Sequence, residues 1–362
     1  MSLPDTSLIN RQIVVIVLKS SLNSGCLIAA VFLSKKETAL TKPAIEPSYS
    51  CNNIEILLGE GANPLPIFWS KLMFKFIHLT DTHIIGGNDL LFGVNPRQRL
   101  ELAIEDISKN HADAEFVVVT GDLTHWGDKS AYAAFFDIIE KLPIPYYLMM
   151  GNHDDRGCIE KTFNTAKLDK YGFLQQKLET SVGPFILTDT KAPDGHHGAF
   201  CESRLNWLDE TLADLKQPGI VFMHHPPFNV GIASLDKISN KDGHKVLDLL
   251  KRHRDKIRHL FFGHVHRVIS GTCHGFSFSF MRGLNHQCRL DLDGDDTTIR
   301  GDLTEPAFGV VLVDEHNIIS HVHNFTNTSP KFDLHDLVGG DNKSYALKLR
   351  HDEWEGISKL LF

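Results

Sequence analysis

Residues 73–83 have the sequence MFKFIHLTDTH, and this stretch decides how the rest of the chain is interpreted. Positions 74–79 are mostly apolar and aromatic, which predicts a buried strand. Asp81 and His83 follow that strand directly and lie two residues apart. In an extended backbone such residues point the same way, so both side chains can reach one cavity. The stretch therefore predicts a strand that ends in residue types which bind metals.

Four further short apolar runs along the chain end in the same manner. They are Phe116–Val119 before Gly121-Asp122, Tyr146–Met150 before Gly151-Asn152-His153-Asp154, Ile220–Met223 before His224-His225-Pro226, and Leu260–Phe262 before Gly263-His264-Val265-His266. Amphipathic stretches that begin near Asn95, Ser130 and Ser203 separate the runs and predict helices. Alternating strands and helices are typical of an α/β domain. Since open α/β sheets place their sites at the carboxyl ends of strands, we expect these residues to form one ring.

The candidate ligands are seven oxygen and nitrogen donors: Asp81, His83, Asp122, Asn152, His224, His264 and His266. None of the motifs contains a cysteine, and this donor set suits iron, manganese, cobalt or zinc better than calcium or magnesium. One ion needs three or four protein ligands, so seven donors predict two divalent or trivalent ions with Asp122 as the bridge. Two divalent ions, two aspartates and a hydroxide leave about one net positive charge. Such a site attracts a small anion, for example a phosphate ester.

The composition limits the partners that this chain can have. Its 362 residues carry a formal net charge of -8, which disfavours the phosphate backbone of a long nucleic acid. No apolar run reaches the roughly 20 residues that span a bilayer, so we expect no membrane partner. Six scattered cysteines without a CxxC pair favour reduced thiols and a cytoplasmic location. A homo-oligomer is compatible with all of these features.

Residues 1–72 differ from the rest of the chain because they contain no chemical motif. Their apolar runs are interrupted by polar residues, and the strong pattern begins only at Met73. We predict a catalytic domain over residues 73–325 and a C-terminal tail over residues 326–362. Our hypothesis for residues 1–72 is a poorly ordered extension, or a mis-assigned one with Met73 as the biological start.

The five motifs together resemble the signature of the calcineurin-like metallophosphoesterase superfamily. As they stand in this chain, they are Asp81-x-His83, Gly121-Asp122, Gly151-Asn152-His153-Asp154, His224 and Gly263-His264-x-His266. Three further segments resemble the class III cyclic-nucleotide phosphodiesterases and the bacterial glycerophosphodiesterases related to them: Asp154-Asp155-Arg156, His225-Pro226-Pro227-Phe228 and Gly283-Leu284-Asn285-His286-Gln287. The resemblance runs from about residue 74 to residue 325 and leaves both ends of the chain uncovered.

The resemblance implies a four-layer α/β/β/α sandwich, in which helices flank two packed β-sheets and a dinuclear metal site lies at the carboxyl ends of strands. It assigns to the first metal Asp81, His83, Asp122 and His266, and to the second Asp122, Asn152, His224 and His264. It also implies that His153 contacts the phosphate, together with Asn152, and protonates the leaving oxygen. His286 is expected to touch the substrate phosphate.

These observations favour a phosphodiesterase that acts on a small diester, either a 3′,5′-cyclic nucleotide or a glycerophosphodiester. The expected mechanism is attack by a metal-bound hydroxide, with the metals taking up charge and His153 assisting departure. A phosphomonoesterase or a nuclease that uses the same site is an alternative. The negative net charge of the chain counts against a nuclease. A non-catalytic binding protein of the same fold is another alternative. Loss of metal ligands would be its mark, and none of the seven candidate ligands is missing.

Some conspicuous residues near the motifs have more than one interpretation. We expect His225 to support the residues around the metals, and the His196-His197 segment to lie in a solvated loop. Trp126 is expected to pack rather than to stack on a base. Asp154 and Arg156 either form an ion pair that shapes their loop or contact the substrate.

Overall fold

The structure is a computed structural model of the chain and describes residues 15–18, 27–30, 54–55, 73–162 and 168–329. The chain divides into two compact units, Met1–Lys71 and Leu72–Phe362. The strands described in the first unit are β1 (Val15–Leu18), β2 (Leu27–Ala30) and β3 (Ile54–Glu55), which form an antiparallel sheet in the order β2-β1-β3. The rest of segment 1–72 and residues 330–362 lie outside the described residues, and so do the hypotheses of an N-terminal extension and a C-terminal tail.

The second unit alternates strands with helices. Its described strands are β4 (Phe74–Leu79), β5 (Phe116–Val119), β6 (Tyr146–Leu148), β7 (Gln176–Leu178), β8 (Phe185–Leu187), β9 (Gly219–Met223), β10 (Ile257–Phe262), β11 (Ile269–Cys273), β12 (Phe276–Phe280), β13 (Gln287–Cys288), β14 (Gly301–Asp302), β15 (Phe308–Val313) and β16 (Ile318–His323). Its described α-helices are α1 (Pro96–Asn110), α2 (Lys129–Ile139), α3 (Arg156–Thr162), α4 (Glu202–Asp214), α5 (Ala233–Asp236) and α6 (Gly243–Arg252). A 3₁₀ turn, Arg254–Lys256, precedes β10.

Two large sheets organise these elements. Five strands in the order β16-β15-β4-β5-β6 form one sheet, and six in the order β11-β12-β10-β9-β8-β7 form the other. Strands β4, β5 and β6 run parallel, as do β8, β9, β10 and β12, whereas the outer strands are antiparallel. The parallel strands of each sheet therefore end at the same edge. A separate two-stranded ribbon is formed by β13 and β14.

An aromatic layer joins the two sheets face to face. Its buried rings belong to Phe76, Phe116, Phe185, Phe222 and Phe261. The rings of Phe76 and Phe185 meet edge to face with centroids 5.0 Å apart, and those of Phe222 and Phe261 stack at 5.1 Å. Such pairs add to the free energy that burial of apolar area alone provides.

Helices cover the opposite face of each sheet. Successive residues of a strand point to opposite faces of the sheet. The residues adjacent in sequence to those of the aromatic layer therefore point away from the other sheet, toward the helices. Ile77 and Leu79 share a core with buried residues of α1 and α2. Val221 and Met223 share another core with buried residues of α4 and α6. The result is an α/β/β/α arrangement, which confirms the four-layer fold.

Helix α1 begins where the sequence predicts a helix. The side chain of Asn95 accepts the backbone N–H groups of Arg97 and Gln98, and Pro96 occupies the first turn. Both features are favourable at a helix start, because the first N–H groups have no partner within the helix. With fifteen residues, α1 is the longest described helix. No helix in the described ranges combines the length and the apolar character that crossing a membrane requires.

Candidate metal centre

The loops that leave β4, β5, β6, β9 and β10 bring the seven candidate donors into one place. All seven are buried, and none has a relative exposure above 7%. Backbone hydrogen bonding between the two chain segments continues beyond the ends of β4 and β5. The Asp81 N–H donates to the Gly121 carbonyl, and the His83 N–H donates to the Asp122 carbonyl. These bonds carry the two motifs past the strand ends in register, so their side chains face one another.

Four of the donors, Asp81, His83, Asp122 and His266, form a first group. Nε2 of His266 lies 3.2 Å from Oδ1 of Asp81 and 3.0 Å from Nε2 of His83. Nε2 of His83 lies 3.6 Å from Oδ2 of Asp122. Ligands that bind one ion at roughly 2 Å lie about this far apart. The first group thus has the spacing of a coordination shell.

Asp122 also faces a second group, formed with Asn152, His224 and His264. Its Oδ2 lies 3.5 Å from Nε2 of His224. Oδ1 of Asn152 lies 3.2 Å from the same nitrogen and 3.0 Å from Nδ1 of His264. One carboxylate oxygen of Asp122 therefore stands between the two groups, where a bridging ligand has to be. The other oxygen, Oδ1, accepts the backbone N–H of His153 at 2.9 Å.

Backbone carbonyls orient two of the histidines. Nδ1 of His224 donates to the carbonyl of Thr120 at 2.7 Å, and Nδ1 of His266 donates to the carbonyl of His286 at 2.8 Å. Because a carbonyl only accepts, each Nδ1 carries the hydrogen, and the neutral ring presents a lone pair at Nε2. Metal-binding histidines commonly donate their other ring N–H to a carbonyl or carboxylate, which orients the ring in the same way.

Five of the seven donors have a left-handed backbone. The values of φ are 51° at Asp81, 47° at His83, 49° at Asp122, 68° at His264 and 50° at His266. This conformation is uncommon for residues with a side chain and costs on the order of 1–3 kcal/mol at each position. Strain of this kind clusters at functional sites, where the surrounding structure maintains it.

Two glycines leave the space that Asp122 and His224 occupy. A Cβ atom on Gly151 would lie 2.1 Å from Oδ1 of Asp122, and one on Gly121 would lie 2.6 Å from Nδ1 of His224. Gly121 also has a φ of 102°, which residues with a side chain rarely adopt. The glycines in the two motifs are therefore required by close packing around the donors.

Burial lowers the pKa of His264 to about 3 and the pKa of His83 well below its usual range. In contrast, Asp122 and His224 stabilise each other's charged forms. Burial lowers the pKa of His224, but the neighbouring Asp122 carboxylate outweighs burial and raises that pKa to about 9. Burial raises the pKa of Asp122, yet His224, His153 and His83 hold it well below its usual range. Buried carboxylates that remain ionised beside imidazoles form a pocket that attracts cations.

Four more histidines surround the donors: His125, His153, His196 and His286. Nδ1 of His153 donates to the carbonyl of His125 at 2.8 Å, and the two rings stack with centroids 4.7 Å apart. Nδ1 of His196 lies 3.0 Å from the amide nitrogen of Asn152. The sequence predicts His153 and His286 as residues of the site, but not His125 and His196. Neither His125 nor His196 belongs to a strand-end motif, and only the large number of histidines in the chain could have indicated that they contribute to the site.

His225 and Asp154 hold the loops of the centre in place. His225 is engaged through both ring nitrogens, with Oγ1 of Thr190 at 2.7 Å and the carbonyl of His196 at 3.2 Å. Asp154 is buried and accepts three backbone N–H groups from the loops after β5 and β6. Burial, reinforced by Asp122, raises the pKa of Asp154 to about 6.

Three expectations about neighbouring residues need correction. Arg156 pairs with Asp189, Nε to Oδ2 at 2.7 Å, so the ion pair with Asp154 is wrong, because backbone N–H groups already occupy the Asp154 oxygens. Trp126 is 64% exposed, so its packing role is also wrong, since no element covers it among the described residues. The His196-His197 segment is exposed at its first residue, as expected for a loop, yet that residue reaches the donors.

A cavity of about 540 Å³ opens above the donors. Its floor is polar and rich in imidazole rings, whereas its rim is apolar and contains Phe92, Leu235, Ile238, Ile299 and Leu303. Among the described residues that line it there is no lysine or arginine, and the carboxylates are Asp122 and Asp302. A cavity of this size accommodates a small molecule.

Known proteins resemble this chain in sequence over most of the second unit. The family profile described as "Calcineurin-like phosphoesterase" matches residues 74–268. A "Probable cyclic nucleotide phosphodiesterase" of Rhodopseudomonas palustris is 37% identical over 268 residues, which are 73% of this chain and 97% of that protein. A "cAMP/cGMP dual specificity phosphodiesterase" of Mycobacterium tuberculosis is 30% identical over 57% of this chain and 66% of its own length. A "Probable glycerophosphodiester phosphodiesterase" of Arcobacter nitrofigilis is 28% identical over 60% of this chain and 81% of its own length.

Two solved structures share the fold at low sequence identity. A dimetal phosphatase from Danio rerio aligns with a TM-score of 0.55 at 15% identity and covers 70% of this chain and 97% of its own. A purple acid phosphatase from yellow lupin seeds aligns with a TM-score of 0.53 at 14% identity and covers 71% of this chain and 52% of its own. Because the family profile spans more than half of the chain and one relative is 37% identical over most of it, the chain belongs to the calcineurin-like phosphoesterase family and is a hydrolase of phosphate esters.

Proposed function

We propose that this chain is a metal-dependent phosphodiesterase with two ions, and that 3′,5′-cyclic nucleotides are its preferred substrates. The observation that carries the proposal is the convergence of seven donors around Oδ2 of Asp122 at the floor of a cavity of about 540 Å³. The relatives named as cyclic nucleotide and glycerophosphodiester phosphodiesterases support diester chemistry.

The residues of the centre fit two metal ions. Oδ1 of Asp81 is buried and has no hydrogen-bond partner among the described residues, although it faces Nε2 of His266. An oxygen and nitrogen donor set suits iron, manganese, cobalt or zinc. One ion would be held by Asp81, His83, Asp122 and His266, and the other by Asp122, Asn152, His224 and His264. Bound ions would supply the Lewis acidity that activates water and takes up charge on phosphoryl oxygens.

The charge of the cavity favours a diester over a monoester. The described lining contains no lysine or arginine, so the ions would supply most of the positive charge that an anion needs. A phosphodiester carries one negative charge, whereas a phosphate monoester carries about 1.5 to 2 at neutral pH. The additional charge of a monoester would have no cationic side chain to pair with, and an unpaired charge in a partly buried site is costly.

His153 is placed to assist departure of the leaving group. Because its Nδ1 donates to the carbonyl of His125, Nε2 is the nitrogen that remains to meet a substrate oxygen. Its backbone N–H bond to Asp122 and its stacking on His125 fix the ring beside the donors. General-acid catalysis requires a proton donor held within hydrogen-bond reach of the leaving oxygen. Asn152 and His286 lie on the same floor and would orient the phosphate.

The apolar rim favours a diester that carries a nucleoside. A flat base can bury apolar area against side chains such as Phe92, Ile299 and Leu303. The hydroxyl groups of a glycerol moiety would gain no hydrogen bond from these apolar side chains. The rim is therefore a specific reason to rank cyclic nucleotides above glycerophosphodiesters.

Two assays test this function with metal-loaded protein. The first compares bis(p-nitrophenyl) phosphate with p-nitrophenyl phosphate, and we expect a clear preference for the diester. A preference for the monoester would overturn the diester proposal, and inactivity toward both with metals bound would indicate a binding protein. The second measures kcat/KM for 3′,5′-cyclic nucleotides and glycerophosphodiesters. Higher values for the glycerophosphodiesters would overturn the assignment of cyclic nucleotides.

A further inference from the structure

We propose a separate cation-binding site formed by Asp106, His111 and His323, where the end of α1 meets the edge strand β16. Asp106 lies in α1, His111 directly follows that helix, and His323 is the last residue of β16. One donor atom from each residue converges, and the three atoms lie within 4.8 Å of one another. The site shares no residue with the seven donors of the candidate metal centre and does not depend on the proposed reaction.

Hydrogen bonds orient the carboxylate of the proposed site. Nε2 of His323 lies 2.8 Å from Oδ2 of Asp106, and the Asn110 amide donates to Oδ1 of the same carboxylate at 2.9 Å. In contrast, Nε2 of His111 is buried and has no hydrogen-bond partner among the described residues. A buried polar atom without a partner is unfavourable, because it has lost its hydrogen bonds to water. A bound cation would give this nitrogen a partner.

Aromatic packing fixes the two imidazole rings. The ring of Phe308 lies 5.8 Å from His111 and 4.9 Å from His323, measured between centroids. The two imidazoles lie 5.2 Å apart and almost perpendicular, at 85°. Perpendicular rings can approach one ion without clashing. The side chains of His323 and Asp106 are 35% and 18% exposed, so water can complete the coordination.

The donor set determines the class of cation. Two imidazoles and one carboxylate suit zinc and neighbouring transition metals rather than calcium or magnesium. Bond lengths of about 2.0–2.1 Å place tetrahedral ligands roughly 3.3 Å apart, so the donors would move together by at most about 1.5 Å from their present limit of 4.8 Å. Rotation of partly exposed side chains is sufficient for such a movement.

The surrounding charges are compatible with a cation. The carboxyl end of α1 lies at the site, and the partial negative charge of a helix carboxyl end attracts positive charge. Burial and His323 lower the pKa of His111, and the ammonium group of Lys75, which is paired with Asp113, lowers it further. The repulsion that Lys75 exerts is therefore largely compensated.

Zinc stoichiometry tests the site directly. The metal-free full chain is dialysed to equilibrium against Zn²⁺ and its zinc content is measured by elemental analysis. We expect the wild-type chain to bind one more zinc than the His111→Gln and His323→Gln variants. His321→Gln, which changes an exposed histidine of the same strand, should bind as much zinc as the wild type. Equal zinc content in the wild type and in both site variants would overturn the proposal.

A second measurement separates this site from the catalytic centre. In an Asp122→Ala background, Zn²⁺ should still raise the midpoint of thermal unfolding, because a ligand that binds only the folded state stabilises it. The rise should become smaller when His111→Gln is added. His111→Gln leaves the Asp106–His323 bond intact and removes no hydrogen bond of Nε2, so a smaller rise reports the loss of a metal ligand. An unchanged rise would show that zinc acts elsewhere.

Discussion

The floor and the rim of the cavity are built in opposite ways. The floor consists of buried donors whose atoms are fixed by hydrogen bonds and by a strained backbone, as Asp122 illustrates with a φ of 49°. The rim is apolar, and some of its side chains remain half-exposed, such as Ile299 at 49% and Leu303 at 50%. Chemistry on a phosphate needs atoms placed to within a fraction of an ångström. Recognition of a base needs only apolar area, so the rim tolerates looser positioning.

This difference implies that the two regions respond differently to substitution. A change on the floor should abolish metal binding or turnover for every substrate. A change on the rim should alter KM for substrates that reach it and leave small aryl diesters nearly unaffected. Four substitutions test this separation, and the expected effect falls from the first to the last.

Removal of the shared ligand should have the largest effect. Loss of a group that only orients a metal ligand reduces metal affinity by about 10–100-fold. Loss of a ligand itself should do more, so Asp122→Ala should reduce kcat/KM by at least ~10³-fold and release at least one ion. Elemental analysis and the diester assay measure both quantities. Asp302→Asn, which removes a carboxylate from the wall of the same cavity, should retain its metals. Full metal content in Asp122→Ala would contradict the bridging role.

A single methyl group on the floor should be nearly as damaging. In Gly151→Ala the new Cβ would lie 2.1 Å from Oδ1 of Asp122, so the carboxylate has to move. We expect a loss of ~10²-fold or more in kcat/KM, because small displacements of reacting groups cost about that much. Gly157→Ala is the matched control, since its nearest neighbour would be the Asp155 carboxylate at 3.5 Å. Similar activities of the two variants would show that the floor tolerates displacement.

The leaving-group role of His153 should appear as a difference between substrates. His153→Gln should reduce kcat for cyclic nucleotides by about 10²–10⁴-fold, because an alkoxide needs a proton to depart. The effect on bis(p-nitrophenyl) phosphate should be much smaller, since p-nitrophenolate leaves without one. Metal content should not change. Equal losses with both substrates would instead assign His153 to phosphate binding or positioning.

The rim should show the smallest effect, confined to KM. Leu303→Ala removes apolar area worth about 1 kcal/mol, so KM for a cyclic nucleotide should rise about fivefold with kcat unchanged. Leu290→Ala provides the control, because Leu290 is 62% exposed and does not line the cavity. Equal KM values for the two variants would contradict base recognition by the rim. A fall in kcat would show that rim and floor are not separable.

Local rules predicted the α/β class and the residue types at the strand ends, whereas the four-layer arrangement was implied by the family resemblance. Asp81 and His83 come directly after a buried strand, and their spacing of two places them on one side of the chain whatever the rest of the molecule does. The start of α1 near Asn95 was likewise predicted from a local amphipathic pattern, and the structure shows Asn95 as its cap. The cytoplasmic location and the homo-oligomer stay predictions.

Residues outside the motifs could not be assigned from the sequence. Arg156 was considered beside Asp154, which is two residues away, yet its partner is Asp189 in another part of the second unit. His196 appeared as a residue of a solvated loop, and only the approach of that loop to Asn152 reveals its contact with the centre. Such contacts depend on which loops meet, and loop positions follow from packing rather than from periodicity.

Sequence alone determined which residue types end the central strands, because alternation along a strand and glycine at a tight turn are properties of a few neighbouring residues. Only the tertiary structure decided which nitrogen of His224 and His266 faces the donors, because the carbonyl partners, at Thr120 and His286, lie 104 and 20 residues away. It also brought Asp106 and His323 together across 217 residues. Long-range contacts of this kind arise when elements pack, since no short segment contains both partners.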